Sequence, residues 1–157
     1  MNYRCNKALF LDLDGTIITT KSGKEFPEDE YDWKFLPAIL GEIRRWSDNG
    51  YIICIVTNQG GIEMGYTTNE IITNKIATIS KEIESYIGAA VNSVYCPNLD
   101  GYHRKPFPGM AYTLAIQLEL DLALSVMVGD SKSDEGFATS AGIGNFMYVT
   151  DFTKYYK

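Results

Sequence analysis

Cysteine is scarce in this chain: three of 157 residues, Cys5, Cys54 and Cys96, an odd number with no close spacing. A disulfide framework is therefore not expected, and a reducing, cytoplasmic setting is. Long apolar runs are also lacking. A bilayer span needs about 20 consecutive apolar residues, and the early run from Ala8 to Leu13 is already interrupted by Asp12, so no membrane contact is expected. Residues 1–7 hold neither the apolar core nor the small-residue cleavage site of a secretory signal. Positive charge is in deficit, with 14 basic against 20 acidic side chains and a net charge of −6. That argues against a broad footprint on duplex nucleic acid, while leaving room for one strand end held by a local patch. Repeats, low-complexity tracts and linker-like composition shifts are absent too, so residues 1–157 read as a single domain.

What is present is apolar surface. The apolar fraction is 45% with 22% charged residues, and 11 Tyr, 7 Phe and 2 Trp supply bulk that a disordered chain would not have. Short β-branched or aromatic runs at Ala8 to Leu13, Tyr51 to Val56, Val91 to Tyr95, Leu124 to Val128 and Phe146 to Val149 read as buried strands. Between them lie helical patterns. Leu36, Ile39, Leu40, Ile43 and Trp46 recur at steps of three and four, and Asp48-Asn49-Gly50 supplies the stop. Thr67 with Glu70 reads as a capping box opening a helix lined by Ile72, Ile76, Ile79, Ile83 and Ile87. Met110, Ala111, Leu114, Ala115 and Leu118 predict a third helix, and Phe137, Ala138 and Ala141 a fourth that Gly142 ends. Trp33 and Trp46 read as packing residues. Alternating strands and helices imply an α/β fold, a central parallel sheet flanked by helices.

In such sheets ligands gather beyond the carboxyl ends of the strands. The polar residues there are Asp12-Leu13-Asp14-Gly15-Thr16, then Thr57-Asn58-Gln59, then a loop over 96–106 with Arg104-Lys105, then Gly129-Asp130-Ser131-Lys132-Ser133-Asp134. Four acids brought to one rim would repel one another without a cation, and their hard oxygens suit magnesium. Lys105 and the Thr57 hydroxyl add the charge compensation and donors that a phosphoryl group requires. Taken alone, Asp12-Leu13-Asp14 is no more than a solvated turn, Asp134 can serve as a helix cap, and Thr16 fits turn chemistry as well as site support.

In order and spacing, these four segments resemble the motifs of the haloacid dehalogenase superfamily of aspartate-nucleophile phosphatases, over nearly the whole chain. The resemblance implies a Rossmann-like fold and a hydrolase in which Asp12 is the nucleophile and is phosphorylated to an aspartyl-phosphate. Asp14 is then the acid and base, Thr57 and Asn58 hold the phosphoryl oxygens, and Arg104 and Lys105 face the substrate. Lys105 also neutralises charge on the nucleophile, and Mg2+ is held by Asp12, the Asp14 carbonyl and Asp130, with Asp134 as ligand or support.

The segment 17–35 has room for only a flap, so the cap is minimal. Thr19 to Pro27 with Asp32-Trp33, and Gln59-Gly60-Gly61-Ile62, resemble the 3′-phosphatase domain of polynucleotide kinase/phosphatase repair enzymes. That makes a nucleic-acid 3′ end, and hence DNA repair, the leading substrate expectation, with Lys21, Lys24, Lys34 and Arg104 as a local basic patch. Asp130 to Asp134 and Cys96-Pro97 instead resemble the heptose-bisphosphate and histidinol-phosphate phosphatase branch, which makes a small phosphorylated metabolite the alternative. In that branch this loop holds a zinc site. Here Asn98 replaces the expected histidine and the later cysteine pair is missing, so Cys96 reads as a buried small residue and His103 as a loop or substrate contact. A receiver-type phosphorylation switch uses similar residues, but its phosphorylated aspartate follows the third strand. A monomer is expected.

Overall fold

The computed structural model describes residues 5–154. Residues 1–4, which begin the stretch read for a targeting signal, lie outside the described residues, as do 155–157. In chain order the elements are β1 (Lys7–Leu11), β2 (Ile18–Thr19), β3 (Lys34–Phe35), α1 (Ile39–Asp48), β4 (Tyr51–Asn58), α2 (Asn69–Ile87) and β5 (Val91–Cys96). After these come α3 (Gly109–Leu118), a 3-10 turn at Leu122–Leu124, β6 (Val126–Gly129), α4 (Lys132–Ala141), β7 (Asn145–Tyr148) and α5 (Val149–Phe152).

Five strands make one sheet in the order β5-β4-β1-β6-β7, and every pairing in it is parallel. Successive side chains of a strand point to opposite faces, and the core divides accordingly. Leu9, Leu11, Ile53 and Ile55 join the cluster under α1 and α2, whereas Ala8, Phe10, Cys54 and Val56 join the cluster under α3 and α4. On α2, Ile72, Ile76, Ile79, Ile83 and Ile87 are all buried. At about 1.5–3 kcal/mol for each fully buried aliphatic side chain, this stripe fixes α2 on the sheet. Trp46 packs between Tyr51, at 4.7 Å between ring centroids, and Phe152, at 5.7 Å. Trp33 meets Phe35 edge-on at 5.3 Å. Among the described residues no helix is long and apolar enough to cross a membrane.

Several boundaries shift from their sequence-based positions for local reasons. β1 stops at Leu11, because the Leu13 carbonyl collects the N–H groups of Thr16, Ile17 and Ile18 and bends the chain away. Leu36 precedes α1, since Pro37 and the left-handed Ala38 (φ 66°) separate it from the first helical turn. The cap of α2 is Thr68, not Thr67: Thr68 has extended backbone and its hydroxyl accepts from the Ile71 N–H, which leaves Glu70 one position short of a capping box. Leu124 is exposed in the 3-10 turn, and Val149 opens α5 instead of closing β7.

The segment 17–35 is anchored by the antiparallel pair β2–β3, with Ile18 opposite Phe35 and Thr19 opposite Lys34. Its loop is organised by one buried carboxylate. Asp32 Oδ1 accepts the Ser22 N–H at 2.8 Å, and Oδ2 accepts the Ser22 hydroxyl at 2.6 Å and the Glu28 N–H at 2.9 Å. Those hydrogen bonds, the Ser22 hydroxyl first, hold the Asp32 carboxyl down to about 2.

Candidate active site

β1 is the middle strand, so the segment after it emerges at the centre of the rim. Asp12 is still tied to the sheet, its N–H donating to the Val128 carbonyl at 3.1 Å, and its side chain is buried. Two residues on, past the bend, Asp14 is exposed. Gly15 makes the bend possible twice over. Its φ of +80° favours glycine, and a Cβ there would overlap the Asp130 carboxylate arriving from the end of β6. Thr16 is fully buried beneath the turn, and its hydroxyl has no hydrogen-bond partner among the described residues.

Lys105 reaches into this cluster from the loop after β5. Its ammonium donates to Asp12 Oδ1 at 2.8 Å, Asp134 Oδ1 at 2.7 Å and the Val56 carbonyl at 2.8 Å, which uses all three of its hydrogens. Asp134 is equally committed. Its Oδ2 accepts from the N–H groups of Asp130 (3.1 Å) and Ser131 (3.2 Å) and from the Ser131 hydroxyl (2.9 Å), and it forms a capping box with Ser131 at the start of α4. The carboxylate that caps α4 is thus also the one that pairs with Lys105. Gly129 lets it approach, since a Cβ there would overlap the Asp134 side chain.

From the end of β4, Thr57 is buried, and its hydroxyl accepts from Gln59 Nε2 at 3.0 Å. The neighbouring Asn58 has its side chain committed within the protein. Its side-chain amide donates to the Lys105 carbonyl at 3.1 Å and accepts the Lys105 N–H at 3.0 Å, so it holds the lysine loop and its amide is not turned to substrate. Arg104 donates to the Asn98 carbonyl at 3.0 Å, and the Leu99 N–H donates to Glu63 at 2.6 Å. The loop over 96–106 is thus tied to itself and to the segment after β4. Cys96 is buried with its thiol directed at the Asn98 carbonyl, and His103 is exposed against the Tyr102 ring.

A family model described as polynucleotide kinase 3 phosphatase matches residues 7–151. The chain belongs to this family. It is a phosphatase of the haloacid dehalogenase type, and similar proteins carry sugar-phosphatase names. The D-glycero-alpha-D-manno-heptose-1,7-bisphosphate 7-phosphatase of Burkholderia mallei is 32% identical over 157 residues, covering 93% of this chain and 81% of that one. The D-glycero-beta-D-manno-heptose-1,7-bisphosphate 7-phosphatase of Rhodopseudomonas palustris is 32% identical, covering 90% and 82%. Among solved structures, the D,D-heptose 1,7-bisphosphate phosphatase of B. bronchiseptica, complexed with magnesium and phosphate, superposes with a TM-score of 0.78 at 25% identity, over 96% of this chain and 87% of that one.

The electrostatics of the phosphatase's rim suit a divalent cation. Carboxylate oxygens of Asp12, Asp130 and Asp134 lie within 4.8 Å of one another. Burial pushes the Asp12 carboxyl up to about 8, with Asp134 adding to the rise and Lys105 opposing it. Asp130 is raised by burial and by Asp134. Lys105 loses hydration on burial, but Asp12 and Asp134 together outweigh that loss and raise it, so the ammonium stays charged. One buried ammonium does not balance three clustered acids. A hard cation with oxygen ligands would complete the balance, so the donor set fits magnesium. Two residues of the rim segments, Ser131 and Gln59, were given no role by the sequence reading. Ser131 was detectable, three residues before Asp134 in capping-box spacing, whereas nothing in the sequence signalled the Gln59 contacts.

Proposed function

We propose that this phosphatase hydrolyses a phosphomonoester of a small phosphorylated sugar of the heptose-bisphosphate kind, through an aspartyl-phosphate on Asp12. The observation that carries the proposal is the buried Lys105 ammonium bridging Asp12 Oδ1 and Asp134 Oδ1 at the end of the central strand. With Oδ1 of Asp12 engaged by Lys105, Oδ2 is the attacking atom. It bonds to phosphorus as the bond from phosphorus to the sugar oxygen breaks, and Asp14 gives that oxygen a proton. The Asp14 carboxylate then takes a proton from water. The water oxygen bonds to phosphorus as the acyl-phosphate bond from Asp12 Oδ2 to phosphorus breaks, which releases inorganic phosphate and restores both side chains. The Thr57 hydroxyl serves the phosphoryl oxygens throughout, and Lys105, its three hydrogens already committed, contributes its positive charge. Asp12, Asp130 and the Asp14 carbonyl would hold Mg2+, with Asp134 behind them, and the ion supplies charge compensation for the phosphoryl group.

Three features support a small substrate over the nucleic-acid 3′ end. The relatives described above carry heptose-bisphosphatase names. The flap over 17–35 holds three lysines against five carboxylates, which is a poor footprint for a polyanion. Of the four cations expected to form a basic patch, Lys24 is paired with Glu28 and Arg104 is engaged by the Asn98 carbonyl. The deciding experiment compares kcat/KM on heptose 1,7-bisphosphate, other sugar phosphates and an oligonucleotide 3′-phosphate. A preference for the sugar phosphates by orders of magnitude is expected, and the opposite order would replace this reading with the 3′-end one. Mg2+-dependent turnover of p-nitrophenyl phosphate, abolished in Asp12→Asn, tests the chemistry independently of the substrate.

A further inference from the structure

Gln59 stands just past β4, its N–H donating to the Cys96 carbonyl at 2.7 Å, so its backbone is fixed by the sheet's edge. Its side-chain nitrogen makes two contacts, to Asp14 Oδ2 at 2.9 Å and to Thr57 Oγ1 at 3.0 Å. An amide nitrogen carries two hydrogens and accepts none, so both are used, one for each partner. The orientation of the amide is not arbitrary. Turned over, it would set its own oxygen against a carboxylate oxygen, and an ionised carboxylate only accepts.

A consequence follows at Thr57. Its hydroxyl is an acceptor toward Gln59, so its single proton points elsewhere, and among the described residues Thr57 makes no other side-chain hydrogen bond. That proton is available for a phosphoryl oxygen. At the other end of the same amide, the Asp14 carboxylate is exposed and Gln59 is its side-chain partner. One side chain therefore orients two groups that serve opposite sides of the transferred phosphoryl: Asp14 on the leaving oxygen and Thr57 on the oxygens that stay.

We propose that Gln59 is a positioning residue that locks the acid of Asp14 and the donor of Thr57 into one geometry. The inference rests on the roles given to those two residues above, and the test separates its failure from theirs. The variants are Gln59→Ala, Gln59→Met, which keeps the side chain's bulk without its donors, and Asp14→Asn as reference. Each is assayed on a sugar phosphate, whose alkoxide must be protonated to leave, and on p-nitrophenyl phosphate, whose phenolate leaves without help. Inhibition by inorganic phosphate is measured alongside, and Tm reports folding.

Positioned proton transfer contributes about 10²–10⁴-fold. In both Gln59 variants we expect kcat on the sugar phosphate to fall at least tenfold further than kcat on p-nitrophenyl phosphate, in the same sense as in Asp14→Asn. The inhibition constant for phosphate should rise severalfold, through Thr57. The Asp14→Asn/Gln59→Met double variant should show no additional discrimination between the leaving groups. A merely structural residue would lower both substrates equally. If Asp14→Asn discriminates between the leaving groups and the Gln59 variants do not, the inference fails and the site reading stands. If Asp14→Asn itself does not discriminate, the role of Asp14 fails and takes the inference with it.

Discussion

Asn58 and Lys105 hold each other by a reciprocal pair of hydrogen bonds, the Asn58 amide donating to the Lys105 carbonyl at 3.1 Å and accepting the Lys105 N–H at 3.0 Å. The pair joins the last residue of β4 to the loop that carries the lysine and sets the height at which the lysine enters the acidic cluster. Asn58→Ala removes both bonds without touching the Lys105 side chain. A displacement of about 1 Å at a reacting group can cost on the order of 10²-fold, so kcat on p-nitrophenyl phosphate should fall by that order. Asn58→Asp should fare as badly, because it loses the donor to the Lys105 carbonyl. Steady-state kinetics at saturating Mg2+ checks both, and an unchanged kcat in Asn58→Ala would remove Asn58 from any role in placing Lys105.

Asp130 and Asp134 lie four residues apart, between the end of β6 and the first turn of α4, and should nonetheless fail differently. Asp134 is buried, paired with Lys105 and capping α4, whereas Asp130 is exposed at the rim. Breaking a buried pair from one side costs about 3–5 kcal/mol, and Asp12 remains to hold Lys105, so the lower end applies. Asp134→Asn should therefore lose about 3 kcal/mol, which for a chain of this size lowers Tm by roughly 6–12 °C, together with activity. Asp130→Asn should lose activity and Mg2+ affinity with Tm nearly unchanged. Thermal melts beside Mg2+ titrations separate the two, and equal Tm losses would contradict the division of labour.

How much of this was legible in the chain depends on whether a signal is local. The five isoleucines of α2 announce their face because helical period alone places them together, and the acids after β1 and β6 could be placed on one rim by the parallel-sheet rule. Lys105 was assignable through its motif, yet its contact with Val56, and the Asn58 pair that positions it, join residues more than forty positions apart with no periodicity to betray them. The use of the Asn58 side chain was hidden for that reason: only the three-dimensional course of the lysine loop shows that the amide is spent on the Lys105 backbone. Boundary errors had a different source. β1 was read two residues too long because Leu13 is as apolar as Leu11, although its burial belongs to a turn.

Gly15 and Gly23 provide a matched comparison. Their φ values are nearly the same, +80° and +78°, but a Cβ at Gly15 would overlap the Asp130 carboxylate, and one at Gly23 meets nothing within 4 Å. Gly23→Ala should cost only the left-handed strain, about 1–2 kcal/mol, with kcat/KM retained. Gly15→Ala should add displacement of Asp130, so Mg2+ affinity and kcat should fall well beyond what its Tm shift explains. Mg2+ titrations of both variants by calorimetry make the comparison, and equal Mg2+ affinities would show that Asp130 tolerates the displacement.

Asp32 gives the flap a pH signature. Its carboxyl is held at about 2 in the folded chain against an ordinary 3.8, first by the Ser22 hydroxyl and then by the Glu28 N–H. A group that binds its proton less readily folded than unfolded contributes fully above the unfolded value, and the contribution is lost as pH falls through the folded one. The flap loop over 20–33 should therefore resist pepsin above pH 3.8 and open as pH drops toward 2. Asp32→Asn, with an amide donor facing the N–H and hydroxyl donors it must serve, should be cleaved there at every pH of that range, with little further change on acidification. The wild-type rate should climb to meet it. Cleavage mapped by mass spectrometry reads the site directly, and a wild-type rate that is already maximal at pH 3.8 would show that Asp32 does not hold the loop.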